Sequence, residues 1–169
     1  MTTAIPTTEN AEQFLSFHLT ETLHAMLPTQ QLTEILNLAL HQLVPIPDVA
    51  PQVMGVCNWR GDVLWLVDLG YLLGAEPLYS QGYRRSHYKA IIVHHQGHTL
   101  GLVVSQVNQM LWCDPAQIQS LPEANFVPEL SNSFQGYWLT PTDETLLVLD
   151  SRVLVEFFLQ STTHHSQDS

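Results

Sequence analysis

Apolar and polar positions alternate with a period of two through much of this chain. In Phe14 to Leu19, the side chains of Leu15, Phe17 and Leu19 fall on one face, and those of Ser16 and His18 on the other. That pattern predicts a half-buried strand. Leu23, Ala25 and Leu27 continue the alternation after a Thr20-Glu21-Thr22 turn, until Pro28 bends the segment or confines it to an edge. Gln30 to Leu40 fits two periods, because Leu32, Ile35, Leu36 and Ala39 have helical spacing while the neighbouring segments read as strands. Pro45, Pro47 and Pro51 then impose an extended connection that cannot form a regular ladder.

The connection leads to Gly55–Leu69, GVCNWRGDVLWLVDL, the stretch around which the chain is organised. Its turn signal, Arg60-Gly61-Asp62, precedes an apolar run from Val63 to Val67. A short apolar run bounded by turn residues reads as a strand covered on both faces. Val63, Trp65 and Val67 should point one way, and Leu64 and Leu66 the other. Next, LGYLLG reads as one helical turn capped by Asp68 and ended by Gly74, and Ala75–His87 as an irregular, mobile loop.

Ala90–His94 and Thr99–Val104 read as a hairpin, Val107–Cys113 as a strand ended by Asp114-Pro115, and 115–135 as a long connection. Gly136–Thr140 and Thr145–Leu149 predict another hairpin. The last element, SRVLVEFFLQ, carries Val153, Leu154, Phe157 and Phe158 at helical spacing, with Asp150 or Ser151 as cap. Roughly eight to ten short strands separated by Gly and Pro turns, with one clear helix, predict a mainly β barrel or sandwich. The expected organisation is a disordered tail over 1–11, one domain over 12–160 and a second disordered tail over 161–169.

Composition narrows the function. Of 169 residues, 45% are hydrophobic and only 12% charged, which fits a globular protein with uncharged surface available for contact. With 16 acidic and 5 basic residues the net charge is −11, which opposes nucleic-acid binding. Arg84, Arg85 and Lys89 lie in one short stretch that reads as a solvated loop. Cys57 and Cys113 sit in apolar surroundings and read as reduced, buried thiols of a cytoplasmic protein. No basic, apolar leader opens the chain, and no apolar run reaches the roughly 18 residues of a membrane span.

No phosphate loop, nucleophile elbow or metal-binding helix signature occurs, so no catalytic residue and no cofactor are expected. Asp62 and Asp68 would lie about 20 Å apart on one strand, too far for a glycosidase pair at about 5 to 9.5 Å. His95 and His98 can face each other across a turn, but His94 points away, leaving two convergent ligands where zinc needs three or four. Trp59, Trp65, Trp112 and Trp138 are spread over different strands and read as core. Arg60 is the exception. A buried or half-buried guanidinium needs a carboxylate, and Glu34, inside the apolar LTEIL segment, is the predicted partner. Their ion pair either pins two strands or shapes a docking surface.

The order of these features resembles the CheW-like adaptor domain of bacterial chemotaxis, over about residues 12–160. The resemblance rests on Leu32-Thr33-Glu34-Ile35, the Pro-rich link, Gly55-Val56-Cys57-Asn58-Trp59-Arg60-Gly61, VLWLV and Asp68-Leu69. Further on it includes GLVVSQV from Gly101 to Val107, Gly136, and LLVLD from Leu146 to Asp150. It implies two intertwined five-stranded SH3-like β-barrel lobes with a C-terminal helix, and no enzymatic activity. It also implies an adaptor that couples the cytoplasmic tip of a chemoreceptor to the regulatory domain of a CheA-type histidine kinase. By motif position, Leu32, Gly55 and Arg60 would lie at or near the receptor groove, with Asn58, Trp59 and Gly61 in the same partner-binding stretch and Glu34 as the internal partner of Arg60. Ser105 stands where many members have aspartate, Trp59 replaces a common leucine, and the first turn lacks its usual glycine. These departures point to a specialised pathway such as phototaxis or pilus motility. The rival readings are a small-molecule-binding β-barrel and a metal-dependent hydrolase built on His95 and His98.

Overall fold

The computed structural model describes residues 10–81, 86–121 and 133–165, with side chains as far as Gln160. The strands are β1 (Glu12–His18), β2 (His24–Pro28), β3 (Leu32–Ala39), β4 (Val53–Trp59), β5 (Asp62–Asp68), β6 (His87–His95), β7 (His98–Val104), β8 (Gln106–Cys113), β9 (Phe134–Leu139) and β10 (Thr145–Leu149). The helices are α1 (Leu69–Leu72) and α2 (Ser151–His165).

The strands form two five-stranded sheets of identical pattern. Lobe A runs β8-β1-β2-β10-β9 and lobe B runs β3-β6-β7-β5-β4. In each, the successive pairings are antiparallel, antiparallel, parallel and antiparallel. Lobe B is inserted between β2 and β8 of lobe A, so the two lobes are intertwined.

The matching details share one physical cause. Gly55 on β4 has φ 144°, and an added Cβ would stand 2.3 Å from the Val44 carbonyl oxygen. Gly136 on β9 has φ 145°, and its Cβ would stand 2.1 Å from the Gln119 carbonyl oxygen. Each glycine lets a passing segment close on its strand, through the bridges Val44↔Val56 and Gln119↔Tyr137. The strand that follows leads to a buried aspartate, Asp68 at the end of β5 and Asp150 just after β10, that caps a helix. The Asp68 carboxylate accepts from Tyr71 N, and that of Asp150 from Arg152 N.

Three apolar clusters fill the molecule. Leu64, Leu66, Ile92 and Val103 pack inside lobe B, and Phe14, Met26, Trp138, Leu146 and Val148 inside lobe A. Between the lobes, Leu15, Phe17, Leu27, Val67, Ile91, Leu102 and Leu149 meet Leu154, Val155 and Phe158 of α2. Alternation along a strand therefore separates two apolar environments, a lobe interior and the shared core.

That arrangement corrects several expectations. β1 is covered on both faces, since Phe14 and Ser16 are as buried as Phe17. The Ser16 hydroxyl donates to the Gln109 carbonyl and accepts from its N–H, at a shift in the β1–β8 register. β5 divides as expected, with Leu64 and Leu66 toward lobe B and Trp65 and Val67 toward the shared core, but Val63 is 69% exposed. The ambiguous Gln30–Leu40 segment is strand over Leu32–Ala39, because β6 supplies a partner for its backbone groups. The first turn needs no glycine: the Thr20 hydroxyl accepts from Thr22 N and Leu23 N. Ala75–Gln81 is anchored, since Leu78 is buried and its N–H donates to Asp68 at 2.8 Å. The remainder of that loop, 82–85, lies outside the described residues, as do Arg84 and Arg85, residues 1–9, 122–132 and 166–169. α2 runs from Ser151 to His165. No helix among the described residues is long and apolar enough to cross a membrane.

Candidate functional site

The residues singled out by sequence converge on the β4–β5 hairpin and the neighbouring start of β3. The hairpin closes through Arg60 at φ 51° and Gly61 at φ 83°, between the paired residues Trp59 and Asp62. Two positive φ angles at the central positions make a type I′ turn, whose twist matches that of the flanking strands. The Asn58 side-chain oxygen accepts from Gly61 N at 3.1 Å and holds the turn. Arg60 is therefore a turn residue with an exposed side chain, not the buried or half-buried guanidinium expected.

Its surroundings are still organised. Arg60 Nη2 donates to Glu34 Oε2 at 3.4 Å, and the guanidinium lies 4.8 Å from the centre of the Trp59 ring. Trp59 Nε1 donates to the other Glu34 oxygen. Glu34 thus joins β3 to the hairpin through two donors, one neutral and one charged, and Trp59 offers its face to the cation. The side chains of Arg60 and Glu34 are 64% and 35% exposed, so the ion pair is worth at most about 1 kcal/mol. Its contribution is to set the shape and charge of a surface. Leu32 is half-buried at the head of β3, opposite Val93, while Gly55 lies on β4 beneath the Val44 backbone. Asn58 and Val63 are opposed and exposed beside the turn.

The histidines of the 94–98 hairpin diverge. His94 Nδ1 bonds the Thr99 hydroxyl at 2.9 Å, and His95 Nε2 bonds Glu156 of α2 at 3.0 Å. His95 and His98 are paired across the turn, as expected. Asp62 is at the hairpin turn. Asp68 is a cap, and burial pushes its carboxyl above the usual value against two backbone N–H bonds. Trp65 and Trp138 pack in the cores, but Trp112 is 46% exposed on the edge strand β8. An open cleft of about 280 Å³ lies between α2 and β7, lined by Trp65, His98, Thr99, Leu100, Val155, Phe158 and Leu159.

One group of chemistry-bearing side chains escapes sequence reading. His18, His24 and Glu144 converge at the turn end of lobe A. Burial lowers the His18 pKa and the neighbouring His24 lowers it further, against the opposing charge of Glu144. Glu144 is 120 residues from His24, so no spacing in the sequence announces the contact.

Two five-stranded β lobes of one topology, intertwined and sharing a core with a C-terminal helix, define the architecture of the chain. The CheW-like domain model matches residues 13–157. The chain belongs to the CheW-like domain family. The crystal structure of the scaffolding protein TtCheW from Thermoanaerobacter tengcongensis is similar, with a TM-score of 0.69 at 18% identity, covering 82% of this chain and 88% of that one. At that identity the likeness speaks to the fold. No curated protein matches the sequence.

Proposed function

We propose that this protein is a non-enzymatic signalling adaptor that couples a chemoreceptor of the methyl-accepting type to a CheA-type histidine kinase. The observation that carries this reading is the family match over 13–157, which takes in both lobes and the shared core. An adaptor needs exposed contact surface on a rigid frame. The β4–β5 hairpin supplies it, with Asn58, Trp59, Arg60 and Gly61 at the turn, Glu34 and Leu32 beside it on β3, and Gly55 behind it on β4. The receptor tip would dock on this surface, and the kinase regulatory domain would meet the protein barrel to barrel.

The rival of a small-molecule-binding barrel finds little support. The lobe interiors hold Leu64, Leu66, Ile92 and Val103 in one case and Phe14, Met26 and Trp138 in the other. Side chains occupy the space a ligand would need.

The test is a pull-down of the purified chain with a kinase regulatory domain and a receptor tip from the same cell. The expected result is capture of both at micromolar concentration, the range of about −8 kcal/mol. Capture of neither would overturn the adaptor reading.

A further inference from the structure

The turn end of lobe A brings three potential metal ligands together. His18 and His24 are directly opposed on β1 and β2, with their rings stacked at 3.7 Å between centroids and 8° between planes. β10 runs parallel to β2 with Leu146 opposite His24, so Glu144, two residues earlier, reaches the same place. One ligand atom from each of the three residues lies within 4.8 Å of the others.

Hydrogen bonding fixes the tautomer of His24. Its Nε2 lies 3.1 Å from the Glu21 carbonyl oxygen, which can only accept, so Nε2 carries the hydrogen. In the neutral ring Nδ1 is then a bare lone pair, and it is the atom that faces Glu144 Oε1. A lone pair against a carboxylate oxygen is repulsive unless a positive species stands between them. A proton can do this. A metal ion can do it too, and in addition it can use the third donor, His18, whose side chain has no hydrogen bond among the described residues.

We propose that His18, His24 and Glu144 form a binding site for a borderline divalent transition-metal ion such as zinc. Two imidazole nitrogens and one carboxylate oxygen are donors this class of ion prefers over magnesium or calcium. The Nε2–H bond to the Glu21 carbonyl orients His24 as the outer partners of metal-binding histidines do. Tetrahedral ligands at about 2.0 to 2.2 Å from zinc are about 3.3 to 3.6 Å from one another, so the His24 and Glu144 ligand atoms must part to admit the ion while the outer limit of the cluster, 4.8 Å, must shorten. His18 must also leave its stack, because an ion cannot lie in two parallel ring planes at once. Rotation about χ2, a broad torsion for histidine, accomplishes this. Three protein ligands leave a further coordination position open. The net charge of −11 favours the cation. Binding would clip the β1–β2 turn to the β9–β10 hairpin.

The test loads the untagged full chain with zinc chloride, passes it through gel filtration and measures retained metal. One zinc per chain is expected, with the ring resonances of both His18 and His24 shifting as zinc is added. His24→Gln and Glu144→Gln should each weaken binding at least about 100-fold, whereas a His164→Gln/His165→Gln double variant should keep it. Glu144 is exposed, so its substitution leaves the fold intact even if that of His24 does not. Absence of retained zinc would overturn the site, as would zinc that both Gln variants hold as tightly as the parent. Loss of zinc in the His164→Gln/His165→Gln variant alone would place the ion at those residues and equally refute it.

Discussion

Replacing Gly55 with alanine tests how the hairpin surface is supported. Two costs can be worked from the structure. The φ of 144° is one an L-residue rarely adopts, which costs about 1 to 3 kcal/mol. The new Cβ would stand 2.3 Å from the Val44 carbonyl oxygen and 3.2 Å from Pro45 Cα, both backbone atoms that cannot swing aside. Relieving this clash opens the reciprocal bonds Val44 N→Val56 O and Val56 N→Val44 O, of 2.8 and 2.9 Å, each worth about 1 kcal/mol net. The expected loss is about 3 to 5 kcal/mol, or roughly 6 to 20 °C in melting temperature at about 2 to 4 °C per kcal/mol for a domain of this size. Gly61→Ala is the control. Its φ is also positive, at 83°, but nothing lies within 4 Å of the added Cβ, so only the backbone cost of about 1 to 2 kcal/mol remains. Gly136→Ala should behave like Gly55→Ala, because its Cβ meets the Gln119 carbonyl in the same way. Chemical and thermal denaturation followed by circular dichroism decide the matter. Equal losses at Gly55 and Gly61 would refute the close-approach reasoning and leave backbone strain alone as the cause.

Other predictions follow from the same geometry. Arg60→Ala should change stability by less than about 1 kcal/mol, since the pair is exposed and Trp59 still donates to Glu34, yet it should weaken capture of the receptor tip. A large stability loss with unchanged capture would make Arg60 a strut instead of a contact. Asp68 has a folded-state pKa above its unfolded value, so its contribution is fully present below the usual 3.8 and declines as pH rises through the raised value. Relative to Asp68→Asn, the parent should therefore lose stability as the pH rises above the usual 3.8, and a stability difference that does not change with pH there would contradict the assignment. Burial, then the charges of Asp114 and Glu12, push the Cys113 thiol up to about 11, and burial also raises that of Cys57. Both should resist thiol-disulfide exchange with an aromatic disulfide until the protein unfolds, and rapid labelling of the native protein would show one to be accessible.

Much of the fold was determined locally. Strand periodicity, the turn residues, the Asp68 cap and the amphipathic Val153–Phe158 stripe act over a few residues, so the chain itself announces them. The hairpin of Asn58, Arg60 and Gly61 belongs to the same class, since positive φ at two successive positions needs only the four residues Asn58 to Gly61. What lies across each strand was decided elsewhere. Ser16 falls on the polar face in sequence, but lobe A closes over it, and the helix-like spacing of Leu32–Ala39 yields to the partner strand β6. Glu34 met Arg60 as its chemistry suggested. Only the folded chain set the guanidinium in solvent and gave the second carboxylate oxygen to Trp59. The His18–His24–Glu144 cluster depends wholly on tertiary structure. The parallel pairing of β2 with β10 carries one carboxylate across most of the chain, and no local rule encodes a contact between residues so far apart.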